Sequence, residues 1–206
     1  CPDVAGRGQS DWLKDPLGYQ IPNYAADMTL LINQLAPATL DWVGTSMGGL
    51  IGMAVNGLLS ASEAPPSGGA KIRRLVLNDV GPVLDWSALQ RICEYLGQPV
   101  RFVSLEQAAD ALWLISTSFG PHTRAQWLAL TRHMIKPATD AAGGFVLHYD
   151  PAIALAFRAA TPESTVKPLR RSNFTSVSTA CHSFQPTSGC LPIQSLSPTS
   201  SPSHSA

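Results

Sequence analysis

The stretch Leu40–Leu50, Leu-Asp-Trp-Val-Gly-Thr-Ser-Met-Gly-Gly-Leu, constrains the fold more than any other part of the chain. An apolar run stops at a serine, with Gly44 two residues before it and Gly48 two after, and then resumes over a helical length. The pattern predicts a strand, a turn too tight for ordinary side chains and a helix, with Ser46 at the apex in the G-x-S-x-G spacing of a nucleophile elbow. Strand and helix are expected to approach so closely that a Cβ at Gly44 or at Gly48 would clash. The backbone N–H of Met47, one of the donors that a first helical turn leaves unbonded, is expected to point above Ser46, where it can hold a developing oxyanion.

The flanking segments extend this unit. Val4–Trp12 reads as a glycine-punctuated turn after the tail of a strand ending near Asp3. A phosphate loop at Gly6-Arg7-Gly8 is disfavoured, because no apolar-faced helix follows directly and no lysine is placed to reach a phosphate. Pro22 starts a helix to about Leu35, with Tyr24, Met28, Leu31, Ile32 and Leu35 as its buried face and Pro37 closing it. Helix, strand, elbow and helix in succession imply a parallel sheet with crossover helices. The helix after the elbow, Met47 to about Leu59, turns Gly48, Gly49 and Gly52 toward the sheet as a nearly bare face. Lys71–Asp79 is the next strand. Asn78 and Asp79 fall at its carboxyl end, where open α/β sheets gather their ligands. Asp79 is therefore a candidate site residue, with a turn or cap role ahead of Gly81-Pro82 as its other reading.

From Asp85 to Lys136 the pattern turns to helices without intervening strands, at about 85–97, 104–117 and 123–136. Ser104 with Gln107, and Thr123 with Gln126, each have the form of a capping box. Trp86, Trp113 and Trp127 lie one on each helix, which suits a cap over an apolar pocket, with packing between cap and core as the plainer reading for any one of them. Gly143–Pro151 reads as extended and Ala152–Ala160 as a short helix or turn. From Thr161 on, 24 of 46 residues are Ser, Thr or Pro and no hydrophobic period survives, so a disordered tail is expected. The expected division is a partial α/β core at 1–84, a helical cap at 85–142, a return segment at 143–160 and the tail at 161–206.

Charge narrows the function classes. Lys plus Arg and Asp plus Glu both number 14, which leaves no basic field for nucleic acid. The longest apolar runs fall far short of the ~20 residues that a membrane span needs. The four cysteines are scattered, with no Cys-x-x-Cys pair and no metal-ligand spacing to histidine, so neither a metal nor a cofactor is expected, and a reducing cytoplasm is the expected compartment.

With Asp3-Val4-Ala5-Gly6-Arg7-Gly8-Gln9-Ser10, then Gly44-Thr45-Ser46-Met47-Gly48-Gly49, then Leu77-Asn78-Asp79-Val80-Gly81-Pro82 in that order, residues 1–160 resemble the α/β-hydrolase fold superfamily, in particular its bacterial members with a helical cap. The resemblance implies Ser46 as nucleophile, the Met47 N–H as an oxyanion donor and Asp79 as the acid that some members place there. It implies an acyl-enzyme and a small-molecule substrate, an apolar ester or related carbonyl compound. The family order of Ser, acid and His would put the histidine near the C-terminus, and a first oxyanion loop ahead of the glycine turn. The Ser/Thr/Pro tail, with His182 and His204 inside it, stands where that C-terminal region would be, and the first oxyanion loop is missing, so the chain is expected to be a fragment of such a member and inactive or nearly so. An inactive member that serves as a binding module is the alternative. His148 either lines the pocket or is structural, and His122 and His133 are expected to be solvated or at a helix C-terminus.

Overall fold

The computed structural model describes residues 1–61, 71–81, 84–160 and 177–180. After a short 3₁₀ turn at Pro16–Gly18, helix α1 spans Ile21–Leu35, with Pro22 in its first turn, where the missing N–H is no loss. It ends at Ala36, whose left-handed backbone returns its N–H to the Ile32 carbonyl. Tyr24, Ala25, Met28 and Ile32 form the buried face. Leu31 is half-buried, and Leu35, expected inside, is 68% exposed because the helix terminates one turn past the contact.

Strand β1 (Leu40–Thr45) runs into α2 (Met47–Ala61), and β2 (Ile72–Asn78) pairs with β1 in parallel, Trp42 opposite Leu75 and Thr45 opposite Asn78. Because α2 is apolar all round, it is packed on two sides. Ile51 and Val55 meet Tyr24, Ala25, Met28 and Ile32, whereas Met53 meets Leu75 and Leu77 of the sheet. Trp42 joins both clusters, and its ring occupies the space that a Cβ on Gly52 would need, 2.5 Å away.

Helices α3 (Trp86–Tyr95), α4 (Leu105–Ser116) and α5 (Arg124–Met134) follow. Thr123 and Gln126 close a reciprocal capping box on α5. On α4 only half of the expected box forms: Ser104 accepts from the Gln107 amide, but the Gln107 side chain reaches past it to the Val103 N–H at 2.6 Å. The region is also not purely helical. β3 (Arg101–Phe102), β4 (Ile135–Pro137) and β5 (Phe145–Leu147) form a small antiparallel sheet in the order β3-β5-β4, over a core of Phe102, Ala108 and Ile135. Strands of two and three residues, one of them continuous with α5, are too short to show a period of two.

Helix α6 (Ile153–Ala159) returns to the first core through Ile153 and Ala156. The expected tail lies outside the described residues except for Val177–Ala180, which pairs in parallel with β2 as strand β6, giving the order β1-β2-β6. Among the described residues no helix is long and apolar enough to cross a membrane.

Candidate functional site

The carboxyl ends of β1 and β2 lie side by side, as parallel strands about 4.8 Å apart must, and both strands leave the sheet by the same device. Ser46 follows β1 with φ 50° and Asp79 follows β2 with φ 55°, a region that side-chain-bearing residues seldom occupy. Ser46 is held there by its backbone. Its N–H donates to the Asn78 carbonyl at 2.9 Å, and its own carbonyl accepts from Gly49 at 2.9 Å and Leu50 at 3.3 Å as α2 begins. The hydroxyl is thereby lifted to an exposed apex, and Met47 heads the helix with a first-turn amide that α2 itself cannot satisfy.

The close approach of strand and helix is real, but one of the two glycines expected to need it does not. A Cβ on Gly44 would lie 2.4 Å from the backbone of Gly48 and Gly49, so this position admits no side chain. A Cβ on Gly48 would meet nothing within 4 Å, and it is Gly49, next in sequence, whose Cβ would meet Val80 at 2.4 Å. The helix turns 100° per residue, and the residue facing the strand is 49. Gly48 is instead pinned through its carbonyl, which accepts from the Trp42 indole at 3.0 Å.

Asp79 is exposed, and no hydrogen bond engages its carboxylate among the described residues. The Ser46 hydroxyl likewise has no hydrogen-bonded histidine among them. His133 is exposed in the last turn of α5, where a cation suits the helix dipole. His122 is not solvated as expected: it is half-buried between Trp113 and Trp127, with ring centroids 6.4 and 5.9 Å away, and faces the Gly120 carbonyl. His148 is tied by its main chain, donating to Met134 at 2.8 Å and accepting from Gly8 at 3.2 Å. His182 and His204 lie outside the described residues.

Trp113 and Trp127 fasten α4 to α5. Trp127 is buried, stacks edge-on with Trp113 at 5.1 Å and donates its indole N–H to the Ala109 carbonyl at 2.7 Å, which joins α5 to α4. Two surface recesses, of about 220 and 280 Å³, lie beside Tyr24 and beside Trp12 and Lys136; neither takes in Ser46, Asp79, Trp86, Trp113 or Trp127. No group of three His, Cys, Asp or Glu converges as a metal site among the described residues.

The glycine turn is anchored by a contact that local sequence does not reveal. Gly6 (φ 80°) lies against the Tyr19 ring, and the buried Tyr19 hydroxyl donates to Asp150 Oδ2 at 2.6 Å while accepting from the Leu13 N–H at 2.7 Å. Burial, and then the bond to Asp150, push the Tyr19 hydroxyl up to a pKa of about 12. Residues 148–153 are thus fixed to the start of the chain.

This strand–elbow–helix unit beside a second parallel strand has close counterparts in known proteins. The chain is 50% identical over 165 residues to the 3-hydroxybutyrate-oligomer hydrolase of Cupriavidus necator, a match covering 80% of this chain and 53% of that protein. An α/β hydrolase from Novosphingobium aromaticivorans superposes with a TM-score of 0.66 at 34% identity, over 82% of this chain and 57% of that one. The chain belongs to the α/β-hydrolase fold superfamily. An E-2-(acetamidomethylene)succinate hydrolase shares the α/β-hydrolase fold at 18% identity, with a TM-score of 0.62 over 86% of this chain and 70% of that one. No family model matches the chain. The chain spans about half the length of the curated relative that it matches.

Proposed function

We propose that Ser46 is the nucleophile of an ester hydrolase acting on small apolar esters or related carbonyl compounds. The reading is carried by the left-handed backbone of Ser46 at the carboxyl end of β1. A residue with a side chain costs about 1–2 kcal/mol there, and strain of this kind clusters at sites that use it. In the proposed reaction the Ser46 oxygen bonds to the ester carbonyl carbon as a base removes its proton, and the oxyanion is held by the Met47 N–H. Collapse expels the alcohol, which takes up the proton, and water then releases the acid from the acyl-enzyme. Asp79 is the carboxylate proposed to orient the base, and residues 85–142 form the proposed cap. The name of the Cupriavidus necator relative supports a narrower substrate class, short oligoesters of 3-hydroxybutyrate.

The absence of a histidine bonded to Ser46 among the described residues favours slow turnover by this chain, and it also supports the second reading, an inactive member that binds rather than cleaves. Loss of a triad member lowers turnover by about 10⁴- to 10⁶-fold but leaves oxyanion and binding contributions. The test is hydrolysis of p-nitrophenyl butyrate and of the 3-hydroxybutyrate dimer, with and without added imidazole as a diffusible base, beside Ser46→Ala. Slow release that imidazole accelerates and Ser46→Ala abolishes is expected. Equal rates for the two folded proteins in both conditions would overturn the proposal in favour of the binding module.

A further inference from the structure

We propose that Asn78 is a positioning residue for Ser46, clamping the elbow from the neighbouring strand at two consecutive residues; this rests on Ser46 being the nucleophile. Core packing fixes β1 only as far as Gly44, which is buried against the start of α2, and takes hold again at Met47, which packs half-buried on the first core, and at the buried Gly49. Thr45 and Ser46 between them are exposed, and Met47 and Gly48 are half-buried. The position of the Ser46 hydroxyl therefore depends on hydrogen bonds. Three of these are backbone bonds, from Ser46 to the Asn78 carbonyl and from Gly49 and Leu50 to the Ser46 carbonyl. Two come from side chains: the Trp42 indole to Gly48, and Asn78 Nδ2 to Thr45 Oγ1 at 3.2 Å.

Asn78 thus meets the turn twice, through its carbonyl at Ser46 and through its side chain at Thr45. It does so at the last register pair of the sheet, Thr45 opposite Asn78, where both strands enter left-handed backbone one residue later. Trp42 is shared by two core clusters, so its removal would disturb the fold. The Asn78 side chain is exposed, and its bond to Thr45 adds little to global stability while setting the direction in which β1 ends. A displacement of ~1 Å at a reacting group can cost 10²-fold in rate, so a shift of about half that size on loss of the side-chain bond is expected to cost about tenfold.

The experiment compares Asn78→Ala, Thr45→Val and the double variant in full-length protein by two readouts. The first is labelling by an alkyl fluorophosphonate over a range of concentrations, with imidazole present and Ser46→Ala as blank. The second is NMR hydrogen exchange of the Ser46 amide. Each single variant is expected to label about tenfold more slowly at saturation, with unchanged half-saturation and an unchanged urea midpoint. The double variant should be no slower than either single, and the Ser46 amide should exchange faster in all three. Asn78→Asp, whose carboxylate accepts the Thr45 hydroxyl, should restore amide protection. Unchanged labelling and exchange in Asn78→Ala, or additive losses in the double variant, would overturn the clamp. Labelling that does not depend on Ser46 would overturn the nucleophile reading instead, and amide exchange would still decide whether Asn78 holds the turn.

Discussion

Removal of one oxygen atom tests how the glycine turn is held. Tyr19 and Asp150 are 6% and 5% exposed, and the Tyr19 hydroxyl donates at 2.6 Å to Asp150 Oδ2 while accepting the Leu13 N–H at 2.7 Å. In Tyr19→Phe the ring still fills its space against Gly6, but one carboxylate oxygen and one amide lose their partner. Asp150 keeps the Ala152 N–H on its other oxygen at 2.9 Å. A hydrogen bond to a charged group contributes about 1.5–3 kcal/mol, and the half-buried Leu13 amide left without its partner costs up to about 1 more, so Tyr19→Phe should destabilise by about 3 kcal/mol at pH 7.

The pH dependence gives a second arm. Burial and the Asp150 bond raise the Tyr19 pKa from 10.0 to about 12. The folded value lies above the unfolded one, so this stabilisation is fully present below pH 10 and is lost as pH rises through 12. Two units correspond to about 2.7 kcal/mol, of which about half has gone by pH 11. The gap between wild type and Tyr19→Phe should therefore hold from pH 7 to 9 and narrow by about 1.4 kcal/mol at pH 11. Urea denaturation followed by circular dichroism at pH 7, 9, 10 and 11 measures it, and the other titrating groups cancel in the difference. A gap under about 0.5 kcal/mol at pH 7, or one that stays constant to pH 11, would refute the buried pair as the anchor.

Two further substitution sets address the elbow and the helices. Gly44→Ala places a methyl 2.4 Å from immobile backbone and should cost about 3 kcal/mol or more in urea denaturation. Gly48→Ala meets open space and should be neutral or stabilising by up to about 1 kcal/mol, through helix propensity. Trp127→Phe removes the indole N–H that ties α5 to the Ala109 carbonyl of α4, together with part of the buried ring; a loss of about 2 kcal/mol, with a weakened near-ultraviolet dichroism signal, is expected.

How much of this is legible in the sequence depends on how local the cause is. The elbow is readable because its apolar run, serine and glycines are contiguous, and Gly44 is placed correctly. Which glycine faces the strand from the helix side depends on where α2 begins its rotation, and spacing alone named Gly48 where the geometry requires Gly49. The α5 capping box is a four-residue event and forms as read. The same motif on α4 diverges because Val103, one residue upstream, competes for the Gln107 side chain. The Tyr19–Asp150 anchor joins residues 131 apart, and no local pattern marks either partner. Asn78 was visible only as the residue at a strand end; its role at Thr45 and Ser46 emerges from the register of β1 on β2.

Mass spectrometry of the chain after prolonged exposure to an alkyl fluorophosphonate with imidazole tests the central claim most directly. A single adduct on the peptide that carries Ser46, absent from Ser46→Ala, is expected. A folded protein that stays unlabelled, or that carries its adduct elsewhere, would contradict the assignment of Ser46 as the nucleophile.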